Sequence, residues 1–329
     1  MNDTELISFF EKAHFIRAFE ARIAVAADAG AVPGLVHLNS GAELVELAVI
    51  NLLDGPKDQV TGSHRSHGLA LACGVDPLAL AREILGRKGG LSEGLGGTQH
   101  LMAPSVGFLT SNGIVGGQVP LAAGAALSAK TKGTGGIAVT FMGDGAGNQG
   151  VVMETLNLAA SLNLPLLFVV INNGFGQSTP SEKVTGGSLI GRARAFGLAA
   201  DQVDGTDPVA MFKTADRMVG WVRKTASPAF IEAKISRLSG HYHGDAEVYR
   251  ADGERQDALK RLRDMLIKKE TDEATLDTIV AAATSKADKI VSKAEKSKDG
   301  SAEALRHGKR REVSDGQNDD QGRAEYRHA

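Results

Sequence analysis

Two short motifs, Gly143-Asp144-Gly145 and Asn172-Asn173, stand twenty-six residues apart, and each follows an apolar run. The runs are Ile137 to Met142 and Leu166 to Ile171. Each reads as a buried parallel strand ending in a polar turn. Between them Val152, Leu156, Ala159 and Ala160 recur at helical spacing and mark one apolar face. The stretch is therefore strand, glycine-rich turn, helix, strand. Such a unit delivers a carboxylate and a side-chain amide to one edge of a sheet. Ligands of open α/β sheets bind outside the carboxyl ends of the strands.

The groups delivered there have a common chemistry. Asp144 and the amide oxygen of Asn173 are hard oxygen donors suited to Mg²⁺ or Ca²⁺. Gly145, Ala146 and Gly147 are small enough to let a ligand approach the backbone. A helix starting near Asn148 would turn free N–H groups and a positive dipole end towards the same space. A cation site beside an anion site suits a metal-bridged diphosphate. A competing pattern exists, because Gly145-Ala-Gly147-Asn-Gln-Gly150 also spells G-x-G-x-x-G. The dinucleotide fingerprint requires an acidic residue about twenty positions on, at the end of the second strand. Here that strand ends in Asn172-Asn173, and Asp144 in the turn would repel phosphate unless a metal intervenes. The dinucleotide reading is the weaker one.

Composition sets outer bounds. A chain of 329 residues, 42% hydrophobic and 23% charged, has enough apolar material for a large α/β core. A formal net charge of −2 gives no case for nucleic acid as a partner. No apolar run approaches the roughly eighteen residues of a membrane span, and the N-terminus lacks a signal-peptide pattern. The lone Cys73 excludes an internal disulfide and fits a reducing compartment, so a cytoplasmic location is expected.

The expected fold class is α/β, with a mostly parallel central sheet flanked by helices on both faces. Along the chain, residues 5–27 read as an amphipathic helix and 42–53 as a second, largely apolar one. Pro77 opens a third. Residues 91–112 read as an ordered, glycine-rich loop over the site. Pro120 to Lys130 forms a small-residue helix, and Phe230 to Ile235 another central strand. The expected units are a ligand-binding domain over 1–254, a helical region over 255–295 and a disordered tail over 296–329. Lys309-Arg310-Arg311 reads as a solvated charge run rather than a targeting patch. No internal repeat is present.

Several separated motifs then carry a resemblance. They are Phe15-Ile-Arg-Ala-Phe-Glu-Ala-Arg22, Val36-His37-Leu38, His64-Arg-Ser-His-Gly68, Gly86-Arg-Lys-Gly-Gly90, Gly96-Gly-Thr-Gln-His100, Asn112-Gly-Ile-Val-Gly116 and Gly240-His241. In this order, with Gly143-Asp144-Gly145 and Asn172-Asn173, the chain resembles the alpha subunit of the E1 component of thiamine-diphosphate-dependent 2-oxo acid dehydrogenases, the group of the pyruvate, branched-chain and acetoin enzymes. The resemblance spans about Phe15 to Arg250.

That resemblance implies the thiamine-diphosphate-binding fold, with thiamine diphosphate and Mg²⁺ as cofactors. It assigns Asp144, Asn173 and the Phe175 carbonyl to the metal. His64, Arg65 and His241 fall to the diphosphate, beside Gly145 and Ala146. The main chain of Gly113 and Val115 falls to the aminopyrimidine, and His37 to the substrate and acyl-transfer step. His37 and His241 are the catalytic candidates. His67 is expected as a structural neighbour, and His243 has no matching role.

The implied activity is decarboxylation or carbon–carbon cleavage of a small 2-oxo acid or acetoin, with reductive acyl transfer to a lipoyl-bearing E2 acyltransferase. The glutamate that activates the cofactor is not found in this chain. The resemblance implies that an E1 beta subunit supplies it, in an α2β2 heterotetramer. The alternatives are a split transketolase-like subunit and an inactive paralogue that only binds its partner.

Departures bear on the substrate. Ala42 stands where the family often has Gln, and Asn39-Ser40 replaces an aromatic-containing pair. His64 and the Gly240-His-Tyr-His-Gly-Asp245 loop lean towards the acetoin-type group. Tyr242 replaces the first of the serines that kinases modify in mitochondrial subunits, so that control is expected to be absent.

Overall fold

The computed structural model describes residues 3–250 and 255–300. The chain opens with α1 (Asp3–Asp28) and α2 (Glu43–Ile50), then β1 (Gln59–Gly62), α3 (His67–Ala72) and α4 (Pro77–Ile84). β2 (Phe108–Ser111), α5 (Gln118–Thr131), β3 (Ala138–Gly143), α6 (Gly150–Ser161) and β4 (Leu166–Asn172) follow. A small antiparallel pair, β5 (Phe175–Gly176) and β6 (Thr179–Pro180), precedes α7 (Leu189–Ala195), β7 (Ala199–Asp204), α8 (Pro208–Thr225) and β8 (Ala229–Lys234). α9 (Ala258–Lys268) and α10 (Glu273–Glu295) end the described helices.

Six strands form the central sheet in the order β2-β1-β3-β4-β8-β7, and every pairing is parallel. The α/β expectation holds, and the main sheet is parallel throughout. The period-two alternation of the inner strands splits the core. Val139, Phe141, Leu167, Val169 and Ile231 face the side packed by α1, α2 and α8. Ala138, Met142, Leu166, Phe168, Val170 and Phe230 face α5, α6 and α7. With both faces covered, these strands read as continuous apolar runs, which is why the sequence reveals them.

Other elements differ from expectation for identifiable reasons. The segment 91–112 is not all loop, since its end forms the edge strand β2 and Phe108 is fully buried. Four residues beside a register shift at Val60 carry too little alternation to be seen in sequence. The helix expected near Asn148 starts at Gly150, after a 3₁₀ turn over Ala146–Asn148. Ala160 is only half-buried, so the core-facing stripe of α6 is Val152, Thr155, Leu156 and Ala159.

The region after 255 joins the main core. Leu259, Leu262, Leu266, Leu276, Ala287 and Val291 share one buried cluster with Phe10, Phe19 and Ile23 of α1. Arg17 reinforces the join, donating to Glu43 of α2 and to Asp257 at the start of α9. Residues 296–300, expected in the tail, dock on the loop after α4: Lys88 N donates to the Lys298 carbonyl at 2.8 Å, and Gly300 N to that of Gly86 at 2.8 Å. The rest of the expected tail, with Lys309-Arg310-Arg311, lies outside the described residues.

Leu266 is fully buried in this shared core. Leu266→Ala is therefore expected to destabilise the whole protein by about 2–5 kcal/mol, read as a shift of the single urea transition. A separate, earlier transition for 255–295 would show that these helices fold apart from the sheet.

Candidate functional site

The parallel register brings the strand ends, and the loops that leave them, to one edge. His64 and Arg65 follow β1, Gly113 and Val115 follow β2, and Asp144, Gly145 and Ala146 follow β3. Asn173 and Phe175 follow β4, and His241 lies on the segment after β8. His37 comes from the α1–α2 connection. All of these residues line a single cavity of ≈ 400 Å³. Every residue assigned to the site from sequence is therefore at one place.

Asp144 is 1% exposed, and Ser181 Oγ donates to its Oδ2. Burial raises its pKa, while the Ser181 hydroxyl and the backbone N–H groups of Asp144, Gly145 and Asn173 pull the other way. The two asparagines divide their tasks. Asn172 is structural, since its Nδ2 donates to Glu232 Oε1 at 2.7 Å and its Oδ1 accepts from Gly174 N at 2.9 Å. Asn173 turns to the cavity, and its Oδ1 accepts from Phe175 N at 3.2 Å. Gly145 has a steric reason: a Cβ there would lie 3.2 Å from Gly176 Cα, where the β5 strand crosses the turn.

Across the cavity, His37, His64 and His241 form a cluster with ring centroids 4.7, 5.0 and 5.7 Å apart. Their ring nitrogens are close enough to hold a metal ion. Arg65 argues for an anion instead. Its guanidinium donates to the Leu38 carbonyl at 2.8 Å, to His241 Nδ1 at 3.1 Å and to the His241 carbonyl. A fixed cation on the cluster opposes metal binding and favours a phosphate.

Sequence reasoning missed two residues here. Arg237, 3% exposed, also lines the cavity. It donates to Tyr249 Oη at 2.6 Å, and that hydroxyl donates to Asp245 Oδ2 at 2.5 Å. Asp245 in turn accepts from His241 N at 2.7 Å, so Arg237 and the His241 loop are braced together. Burial and then Arg237 lower the Arg65 pKa to about 10. Gln99 is the second, its Nε2 donating to His37 Nδ1 at 3.3 Å. It lies within the quoted Gly96–His100 motif. Arg237 stands just beyond the last central strand, and only that position could have flagged it.

His67 and His243 play supporting parts. His67 is fully buried, with Nε2 2.6 Å from Thr98 Oγ1 and Nδ1 3.4 Å from Glu20 Oε1. That is the structural neighbour expected. His243 Nε2 lies 2.7 Å from Asp28 Oδ1 at the end of α1.

The cluster stays neutral at ordinary pH. Burial first, and Arg65 second, lower His37 to about 4, His64 to about 3 and His241 to about 4. These values lie below the unfolded value of 6.5, so between about pH 6.5 and 3 the unfolded chain binds more protons. Stability supplied by this cluster is present above pH 6.5 and is lost as pH falls through that window. Thermal melts across the window are expected to show the loss, and His64→Gln should flatten it. An unchanged slope in the variant would remove His64 from the account.

Comparison with known proteins shows the family of this chain. The family model described as "Dehydrogenase E1 component" matches residues 11–303. The chain is 43% identical over 254 residues to the alpha subunit of acetoin:2,6-dichlorophenolindophenol oxidoreductase of Cupriavidus necator, covering 77% of this chain and 76% of that one. The Bacillus subtilis protein of the same name is 38% identical over 305 residues, with 90% and 91% covered. The pyruvate dehydrogenase E1 component subunit alpha of Zymomonas mobilis is 37% identical over 248 residues, with 75% and 70% covered. The motifs, the parallel sheet and the matched span agree: this chain belongs to the dehydrogenase E1 component family.

Proposed function

We propose that the chain is the alpha subunit of a heteromeric E1 enzyme that uses thiamine diphosphate and Mg²⁺ to cleave acetoin or a pyruvate-type 2-oxo acid. The acyl group passes to a lipoyl group on an E2 partner. The observation that carries the reading is the pairing of two guanidiniums with one buried carboxylate around a single cavity. Arg65 and Arg237 repel each other and burial desolvates Asp144, and a diphosphate with a divalent cation would offset both.

In this reading Asp144, Asn173 and the Phe175 carbonyl hold Mg²⁺. Such hard oxygen donors would suit Mg²⁺. Arg65, His64 and His241 bind the diphosphate, with Arg237 as a second cation. The backbone of Gly145 and Ala146 approaches it closely, and the backbone of Gly113 and Val115 holds the aminopyrimidine. When bound, thiamine diphosphate supplies the electron sink for breaking the bond beside the carbonyl carbon. His37 is neutral, so it accepts or donates a proton beside the substrate, and Gln99 fixes its ring. An E1 beta subunit contributes the acid that activates the cofactor, in an α2β2 assembly located in the cytoplasm. The intact donor set speaks against an inactive paralogue. The likeness to acetoin and pyruvate enzymes speaks against a transketolase-like subunit.

Calorimetric titration of thiamine diphosphate into the α–β complex tests the reading. Binding is expected to be saturable and abolished by Asp144→Ala or by chelation of the metal. Arg65→Ala and Arg237→Ala should each weaken it about ten- to a hundredfold, the worth of one charge-assisted hydrogen bond. No heat of binding in a folded complex would overturn the proposal. The chain without its beta partner is expected to show no turnover, and activity from it alone would refute the need for a second subunit.

A further inference from the structure

The α2 helix presents Ala42 and Glu46, one turn apart, to the cavity beside His37. Glu46 is 1% exposed overall, yet it contributes to the cavity wall. Its Oε2 accepts a 2.6 Å hydrogen bond from Asn39 Nδ2. Asn39 is itself fixed, because both oxygens of Glu20 accept from its backbone N at 2.8 and 2.7 Å. Among the described residues Glu46 Oε1 takes no hydrogen bond. Ala42, one turn before it, lines the same cavity with only a methyl group. An oxygen in this position is free to take a partner from whatever occupies the cavity.

The charges around Glu46 decide which form it takes. Burial, then Glu20 and Glu43, raise its pKa well above the usual carboxylate range, and only the Asn39 amide opposes them. Glu43 is neutralised by Arg17, and Glu20 lies within 3.4 Å of His67. The Cys73 thiol, after α3, is held protonated by burial. Among the described residues no cation is paired with Glu46, and the raised pKa favours its neutral form, which both donates and accepts. A second negative charge placed against it would meet the field of Glu20, whereas a neutral hydroxyl would not.

We propose that Glu46, held by Asn39, is a specificity-determining group of the substrate pocket that hydrogen-bonds the hydroxyl of a small hydroxy ketone and selects it over 2-oxo acids. The inference rests on the proposed E1 reading and refines its substrate. Ala42, Asn39 and Glu46 act as one unit: a small residue opens the space, an amide orients the acid, and the acid reads the hydroxyl.

The test uses the α–β complex loaded with thiamine diphosphate and Mg²⁺, with reduction of dichlorophenolindophenol as the readout. Acetoin and pyruvate are compared by kcat/KM. Glu46→Leu is expected to lower the acetoin-to-pyruvate ratio about tenfold, and Glu46→Gln, which keeps a donor, to hold it within about threefold. Turnover of both substrates with an unchanged ratio in Glu46→Leu overturns this inference alone. Turnover of neither by the wild-type complex overturns the E1 reading as well.

Thermal melts of the wild type and Glu46→Gln give a reading independent of activity. A folded pKa raised above the unfolded value makes the wild-type contribution full below about pH 4.5 and lost as pH rises through the folded value. The variant should therefore gain on the wild type as pH increases. A difference that does not change with pH would mean an ionised Glu46, and the donor role would fall.

Discussion

The parallel pairing of β3 with β4 governs the rest of this molecule. Their register runs from Ala138↔Leu166 to Gly143↔Ile171, so both strands end at the same height. Asp144 leaves one strand and Asn173 the other, and neither can move along the sheet without breaking the ladder. β8 continues the register as far as Asn172↔Lys234 and brings the Arg237–His241 segment to the same edge. Because the strands are buried on both faces, a register slip would drive apolar side chains into the wrong core.

On that edge the chain concentrates charge that it does not fully satisfy. Two guanidiniums, the Asp144 carboxylate and three neutral imidazoles line the one cavity. Each ionised group has given up water for a few hydrogen bonds, which weakens a folded protein unless a ligand completes the balance. Some of the bracing is paid for locally, through Tyr249 and Asp245 under the His241 loop and through Gln99 against His37. The C-terminal helices support the arrangement from behind, since α10 packs on α1 and Arg17 ties α1 to both α2 and α9.

Legibility followed burial. The inner strands β3 and β4 stood out because each is largely a run of apolar residues, and β8 because Phe230, Ile231 and Ala233 outweigh Glu232. β7 is Ala-Ala-Asp-Gln-Val-Asp and β1 is Gln-Val-Thr-Gly, and neither has a pattern that separates it from a loop. The short strand β2 was hidden among glycines. Within the site, residues in dense motifs were found, among them His64-Arg65, Asp144 and Asn173. Arg237 was missed, because a lone arginine after a strand has the same local pattern as a surface one. Glu46 was missed because a glutamate among apolar helix residues carries no sign of which way it faces.

By itself the sequence determined the type of chemistry: hard oxygen donors, phosphate-matching arginine and neutral-range histidines, each placed after a glycine or a strand. Those are local properties, set by residue type and by near neighbours in the chain. The tertiary structure decided which of them meet. Arg65 and His241 are 176 positions apart and lie 3.1 Å from each other. No spacing rule relates two loops that leave different strands of one sheet. Their distance is fixed by strand order and register, and those come from the packing of both cores at once.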